Sequence, residues 1–130
     1  FPSGDYNADG TSGDRPNAPS SGIKTAGWSR QQFLSGIFPA SAFPAPVPGT
    51  DGTLGRNTYF GPGFVDVDAS LNKRFAIGER VHLQIRIEAF NVLNRVNLNA
   101  PVVDLSSNNF GRSTSTLSPR QFQAGLRVEF

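Results

Sequence analysis

The sequence predicts an all-β fold of antiparallel strands joined to a long irregular amino-terminal half. Three segments alternate apolar and polar residues with the period of two that a strand requires, and we place them at about 64–75, 79–90 and 120–130. Residues 1–63 are instead rich in Gly, Pro, Ser, Asp and Asn and show no sustained period. We therefore expect two domains, a loop-rich segment over 1–63 and an antiparallel β segment over 64–130.

The loop-rich segment contains two apolar islands. Residues 28–38 carry apolar side chains at helical spacing, and Pro39 would end that helix. The Pro-rich stretch 43–48 is expected to be extended chain. Trp28 and the neighbouring Phe side chains are expected to form a small core beneath the loop rather than a platform for a ligand.

The first two strands are expected to form a hairpin around a tight turn at 76–79. Centring this turn on Ile77 would place Asp68 opposite Arg86 as a pair of opposite charges. A slip of two residues would preserve both faces of the hairpin but change those partners.

A long polar loop over 91–119 separates the hairpin from the last strand. One helical turn is expected at 91–94 and a short strand near 102–105. The last strand has an apolar residue at every even position from Phe122 to Phe130. It is therefore expected to be two-faced and to end on an aromatic residue.

Composition excludes several functional classes. Hydrophobic residues make up 37% of the chain, and no apolar run approaches the ~20 residues that a membrane helix needs. The chain has no Cys, so disulfides and cysteine nucleophiles are excluded, and a net charge of +2 gives no reason to expect nucleic acid as a partner. His82 is the only histidine and lies on a polar strand face. We therefore expect no enzymatic activity.

Two-faced strands of this length, ending on an aromatic residue, are typical of an outer-membrane β-barrel. Three strands cannot close a barrel, since the smallest have about eight. We therefore expect an incomplete barrel fragment, and the abrupt start at Phe1 suggests a piece of something longer. With the carboxy-terminus on the periplasmic side, the short turn would be periplasmic, and 1–63 and 91–119 would form extracellular loops.

Several motifs point to one family. They are GRNTYFGPGF at 55–64, RIEAFNVLN at 86–94, NFGR at 109–112 and SPRQ at 118–121. Together they resemble the carboxy-terminal part of TonB-dependent receptor-like proteins of the Oar type, over roughly residues 50–130. The resemblance implies that the parent is a large barrel in the bacterial outer membrane, in contact with its lipid, which takes up a nutrient or binds it at the cell surface.

The end of the chain also resembles the signal that the barrel-insertion machinery reads. That pattern is a polar residue, then Gly, then two hydrophobic or aromatic positions. The matching residues are Gln123, Gly125, Val128 and Phe130.

An alternative follows from the open edges of three isolated strands, because such edges need a partner. The partner would be either the remainder of the parent barrel or other copies of this chain. In the second case the fragment would self-assemble through its strand edges and apolar faces into an extracellular filament or tube, as a structural protein.

One motif near the amino-terminus has the spacing of a calcium loop. Such loops place oxygen side chains at alternate positions before a Gly that permits a sharp turn. The candidate calcium ligands are Asp5, Asn7, Asp9, Thr11 and Asp14. Pro16 stands where such a loop normally has a bidentate Glu, so an ordinary Asx-rich turn is the competing interpretation.

Overall fold

A computed structural model of the chain describes residues 4–130, so the first three residues of the predicted 1–63 segment lie outside the described residues. Three strands form one antiparallel sheet in the order β1-β2-β3, with β1 at Ala69–Ile77, β2 at Val81–Phe90 and β3 at Gln121–Glu129. Helical structure in the described part of the chain consists of α1 at Arg30–Ser35 and a 3₁₀ turn at Ala40–Ala42. The sheet is open in the described part of the chain, because β1 and β3 pair with β2 on either side and do not pair with each other. The predicted all-β fold of an incomplete barrel is therefore confirmed.

The described chain forms two compact units. One unit, here called the loop unit, comprises residues 4–63 and 98–116, and the other, the strand unit, comprises 64–97 and 117–130. Composition changes at the same point after Gly63, but the sequence did not indicate that most of the 91–119 loop belongs with the amino-terminal half. Backbone hydrogen bonds explain this association. The Ile37 N–H donates to the Gly111 carbonyl at 3.0 Å, and the Ser113 N–H donates to the Phe33 carbonyl at 2.8 Å.

The hairpin of β1 and β2 turns two residues later than predicted. Gly78 has a φ of 76°, a left-handed conformation that glycine adopts at little cost. The turn therefore occupies 78–80, and β1 extends to Ile77 instead of ending at residue 75. Leu71 consequently pairs with Ile87 rather than with Leu83. The two faces keep the predicted composition, since the slip is an even number of residues.

The first strand also begins later than predicted, at Ala69 rather than residue 64. At Asn91 the backbone has a φ of 50°, so the chain turns away and β2 offers no further ladder to residues 64–68. Asn97 instead bonds both backbone groups of Val65, accepting from its N–H at 3.2 Å and donating to its carbonyl at 2.8 Å. The predicted Asp68–Arg86 pair is wrong because the shifted register places Asn72 opposite Arg86. Asp68 accepts from the Asn91 N–H at 3.0 Å.

The loop between β2 and β3 lacks the two regular elements that were predicted within it. Residues 91–94 make a turn closed by an N–H···O bond from Asn94 to Asn91, at 2.7 Å, rather than a helical turn. The predicted short strand near 102–105 is reduced to one isolated bridge between Val102 and Phe110. Asn residues favour such turns because their side chains tolerate the left-handed region.

The loop unit is held together by α1 and by an aromatic core. Ser29 caps α1 by accepting from the Gln32 N–H, and the Gln32 side chain accepts from the Ser29 N–H in return. The helix is shorter than the predicted 28–38, since Gly36 ends it with a φ of 114°. The Pro-rich 43–48 stretch carries no helix or strand. Among residues 4–130, we find no helix with the length and apolar character that crossing a membrane would require.

The core of the loop unit consists mainly of aromatic rings that pack edge-to-face or at a tilt. Phe38, Phe43, Leu54 and Phe110 are buried, and Trp28 and Tyr59 pack against them. The ring centroids of Phe38 lie 5.1 Å from those of Phe43 and Tyr59 and 5.4 Å from that of Phe110. Such separations suit the edge-to-face attraction of aromatic pairs. Trp28 thus belongs to a small core, as predicted.

Candidate functional site

The most distinctive surface of the strand unit is one face of its sheet, here called the apolar face. Pairing brings Leu83 next to Val128, Ile85 next to Leu126 and Ile87 next to Ala124. Leu83 and Ile85 on the central strand are half-buried. Around them the apolar side chains are exposed, with Leu71 at 64%, Leu126 at 69% and Phe122 at 70%. A contiguous apolar surface of this kind on one side of a sheet indicates contact with another apolar phase or molecule.

Basic and aromatic side chains lie together at two places on the apolar face. The Lys73 ammonium lies 5.9 Å from the ring centroid of Phe75, towards the hairpin turn. The Arg120 guanidinium lies 5.5 Å from the ring centroid of Phe122, at the opposite end of the strands. Membrane proteins use this combination near the edges of the hydrocarbon layer, where rings sit at headgroup level and long basic side chains reach out of the lipid.

The opposite side of the sheet, here called the polar face, carries charged and amide side chains. Glu129 contacts Arg74 across the sheet at 2.5 Å and Arg127 on its own strand at 3.2 Å. Arg86 contacts Glu88 at 2.5 Å, and Gln84 donates to Asn72 at 2.9 Å. Exposed pairs of this kind stabilise a fold only slightly. Their main consequence is that the polar face is suited to contact with water, whereas the apolar face is not.

Buried amides fix the end of the sheet that lies away from the hairpin turn. The Asn91 side chain donates to the carbonyls of Arg95 and Ser118, at 2.9 and 3.3 Å, and accepts from the Arg95 N–H at 2.9 Å. Asn91 and Asn97 are each only 4% exposed. The sequence analysis missed both residues, because an Asn-rich stretch is as typical of an exposed loop as of a buried network. The one available signal was an Asn directly after a predicted strand, since Asn tolerates the left-handed backbone better than most residues.

The residues that resemble an insertion signal lie at the end of the sheet. Gln123 and Gly125 lie on the polar face, opposite Glu88 and Arg86. Val128 lies on the apolar face, and Phe130 follows β3 and is fully exposed. A Cβ added at Gly125 would lie 4.0 Å from the Arg86 Cβ, an ordinary contact, so the sheet itself does not require glycine there. The role of these residues in insertion stays a prediction.

The predicted calcium ligands lie in one tight loop, where the Asp and Asn side chains accept hydrogen bonds from backbone N–H groups. Asp5 accepts from the N–H groups of Asp9 and Gly10, at 3.1 and 3.0 Å. Asp14 accepts from the N–H groups of Tyr6 and Asn7, at 2.6 and 3.0 Å.

Asp9 accepts from the Thr11 N–H at 2.8 Å, and this bond, together with one from Asn7, lowers the pKa of the Asp9 carboxyl. In the described part of the chain, no three His, Cys, Asp or Glu side chains form a group placed to hold a metal ion. Calcium binding by this loop stays a prediction. A thermal-shift titration tests it, and an unchanged melting temperature at millimolar calcium would contradict it.

Other titratable residues are placed where a structural role accounts for them. His82 lies on β2 in register with Glu129 and Ala76, within the row of polar side chains. Asp104 closes a local turn, accepting from the side chain of Ser106 at 2.7 Å and from its N–H at 2.9 Å. These bonds lower the pKa of the Asp104 carboxyl.

Comparison with known protein families identifies the kind of domain. A family model described as an outer membrane beta barrel domain matches residues 2–123, which is nearly the whole chain. No curated protein and no solved structure gives a match.

Proposed function

Because the chain belongs to the outer membrane β-barrel domain family, we propose that its three strands are part of a barrel wall and that the loop unit forms extracellular loops. The parent in this proposal is a TonB-dependent receptor-like protein of the Oar type that takes up a nutrient or binds it at the cell surface. The chain contributes wall and loops to that function and performs no reaction of its own.

The observation that best supports this proposal is the exposed apolar face backed by a charged one. In a barrel wall, one face meets lipid while the other faces a wet lumen, and the side chains alternate accordingly. The 10 residues of β2 extend roughly 34 Å, and a strand of that length tilted by about 45° covers the ~25 Å height of the apolar band.

The edges of the sheet support the same proposal. The outer edges of β1 and β3 have no strand partner among the described residues. Backbone groups in lipid must be hydrogen-bonded within the protein, so strands of this kind span a membrane only as part of a closed barrel. The partners proposed for these edges are the remaining strands of the parent barrel, and outer-membrane lipid is the partner of the apolar face.

Cysteine labelling tests the proposed orientation, and the absence of native Cys makes every introduced thiol unique. Ser21→Cys places a thiol in the loop unit, and Glu79→Cys places one in the hairpin turn. In intact cells that carry the chain in their outer membrane, a membrane-impermeant maleimide is expected to label Ser21→Cys alone. Glu79→Cys is expected to react once the outer membrane is permeabilised. Equal labelling of the two variants in intact cells would contradict the orientation.

A second candidate function rests on the same two strand edges. Strand addition between copies would bond the edges of β1 and β3 and bury the apolar faces, giving a filament or tube. Chain prepared in aqueous buffer without detergent would then sediment and show a helical repeat by electron microscopy. Chain that stays folded only in detergent or lipid, with no such repeat, would exclude this alternative and agree with the barrel.

A further inference from the structure

The loop unit contains a cavity beside its aromatic core. It has a volume of about 390 Å³, within the ~300–1,000 Å³ range of small-molecule sites. Its lining includes the rings of Phe38, Tyr59 and Phe60, the side chain of Val103, and two arginines, Arg15 and Arg56. No local pattern in the 55–63 stretch of the sequence predicts a cavity.

One side of the cavity is a fixed aromatic surface. Phe38 is 7% exposed and belongs to the core, and the Tyr59 ring packs against it with centroids 5.1 Å apart. Tyr59 also contacts Phe43 and Trp28, so four rings hold one another in place. Phe60 also lines the cavity and is 65% exposed, and its N–H donates to the Thr25 carbonyl at 2.9 Å. Such a surface suits a flat apolar body.

The charge of the cavity is positive. Its charged lining residues are Arg15 and Arg56, with no acidic side chain among the described residues that line it. Arg15 donates from Nη1 to the Leu54 carbonyl at 2.8 Å, which fixes the position of its guanidinium. Arg56 is exposed, and neither arginine takes part in the ion pairs formed within residues 4–130. A planar guanidinium recognises a carboxylate through paired N–H···O bonds.

We propose that this cavity binds a small aromatic carboxylate, with its ring system against Phe38 and Tyr59 and its carboxylate against Arg56. This inference names a ligand class for the surface binding proposed above. It rests on the proposed function in one respect, namely that the loop unit faces the outside of the cell. Binding itself is a property of the loop unit and is measured without reference to the orientation of the chain.

The test uses 2-naphthoate and its neutral analogue 2-naphthamide, titrated calorimetrically into the full chain in detergent, with protein-free detergent as the blank. Naphthoate is expected to bind saturably, and Arg56→Gln is expected to weaken that binding about tenfold, because a charge-assisted contact is lost. Naphthamide is expected to bind more weakly than naphthoate and to be unaffected by Arg56→Gln.

Arg80→Gln is the matched control, since it removes the same charge from the hairpin turn of the strand unit and is expected to leave naphthoate binding unchanged. Naphthoate heats no larger than the detergent blank would overturn the proposal. So would equal affinity of the unmodified chain and Arg56→Gln for naphthoate. If cysteine labelling showed the loop unit on the periplasmic side while naphthoate still bound through Arg56, the surface function would fail and the ligand site would stand.

Discussion

At the scale of single residues, the loop unit depends on one close backbone approach at Gly52. A Cβ added there would lie 1.8 Å from the Arg15 carbonyl oxygen and 2.4 Å from that of Pro16. Both obstacles are backbone atoms, and the neighbouring Leu54 N–H donates to that same Pro16 carbonyl at 3.1 Å, so neither segment can move without losing contacts.

We expect Gly52→Ala to lower the free energy of unfolding of the loop unit by about 2–3 kcal/mol, in the range of overpacked sites. The fluorescence of Trp28, which lies in the aromatic core, reports urea unfolding of this unit. Gly22→Ala is the control, since nothing lies within 4 Å of the added Cβ. Equal unfolding midpoints for the two variants would show that the 15–16 and 52–54 segments are not packed as described.

The strand unit has a comparable residue in Asn91. Its buried side chain serves three backbone groups, and its φ of 50° is unfavourable for alanine. We expect Asn91→Ala to destabilise this unit by about 2–3 kcal/mol, because buried backbone groups would lose their partners.

The matched control for Asn91→Ala is Asn72→Ala, which removes an exposed amide that accepts from Gln84; we expect its effect to be within about 0.5 kcal/mol. Unfolding of the strand signal in far-UV circular dichroism measures both variants. A cost for Asn72→Ala as large as that for Asn91→Ala would argue against the buried network.

At the scale of elements, an arginine introduced on the apolar side of β2 is expected to destabilise the sheet in lipid, whereas one on the polar side is expected to be tolerated. Ile85 lies on the apolar face beside Leu126, and its neighbour Gln84 lies on the polar face. Arginine in lipid costs about 2–4 kcal/mol near the middle of the membrane, whereas arginine in a wet lumen costs little. Ile85→Arg is therefore expected to reduce the folded fraction of chain in lipid vesicles, and Gln84→Arg is expected to preserve it. Equal losses would indicate that both faces meet the same environment.

Sequence periodicity was sufficient to predict the existence and the faces of the three strands, but not their pairing. Alternation with a period of two assigns every side chain to a face, and this assignment survives any even slip. The register was set by Gly78, whose left-handed backbone moves the turn to 78–80, and by Asn91, which ends the ladder. Neither effect is visible in the hydrophobic pattern.

At the scale of the whole molecule, the sequence predicted the open sheet and the irregular amino-terminal half. It did not predict that the 91–119 loop is divided between the loop unit and the strand unit. Residues 98–116 complete the aromatic core of the loop unit through Phe110, whose ring lies 5.7 Å from that of Phe43. Nothing local to Phe110 distinguishes it from an exposed loop residue, because its ring packs against Phe38 and Phe43, more than 60 positions earlier in the chain. The cavity beside this core was unpredictable for the same reason.

The central claim is that the apolar face of the strand unit lies in lipid while the polar face meets water. Spin labels on single cysteines at residues 83–88, introduced one at a time into the Cys-free chain in lipid vesicles, test it most directly. The account predicts that labels at 83, 85 and 87 are relaxed mainly by oxygen, which concentrates in lipid. Labels at 84, 86 and 88 should be relaxed mainly by a water-soluble nickel complex. Accessibility without this alternation, or with its phase reversed, would contradict the account.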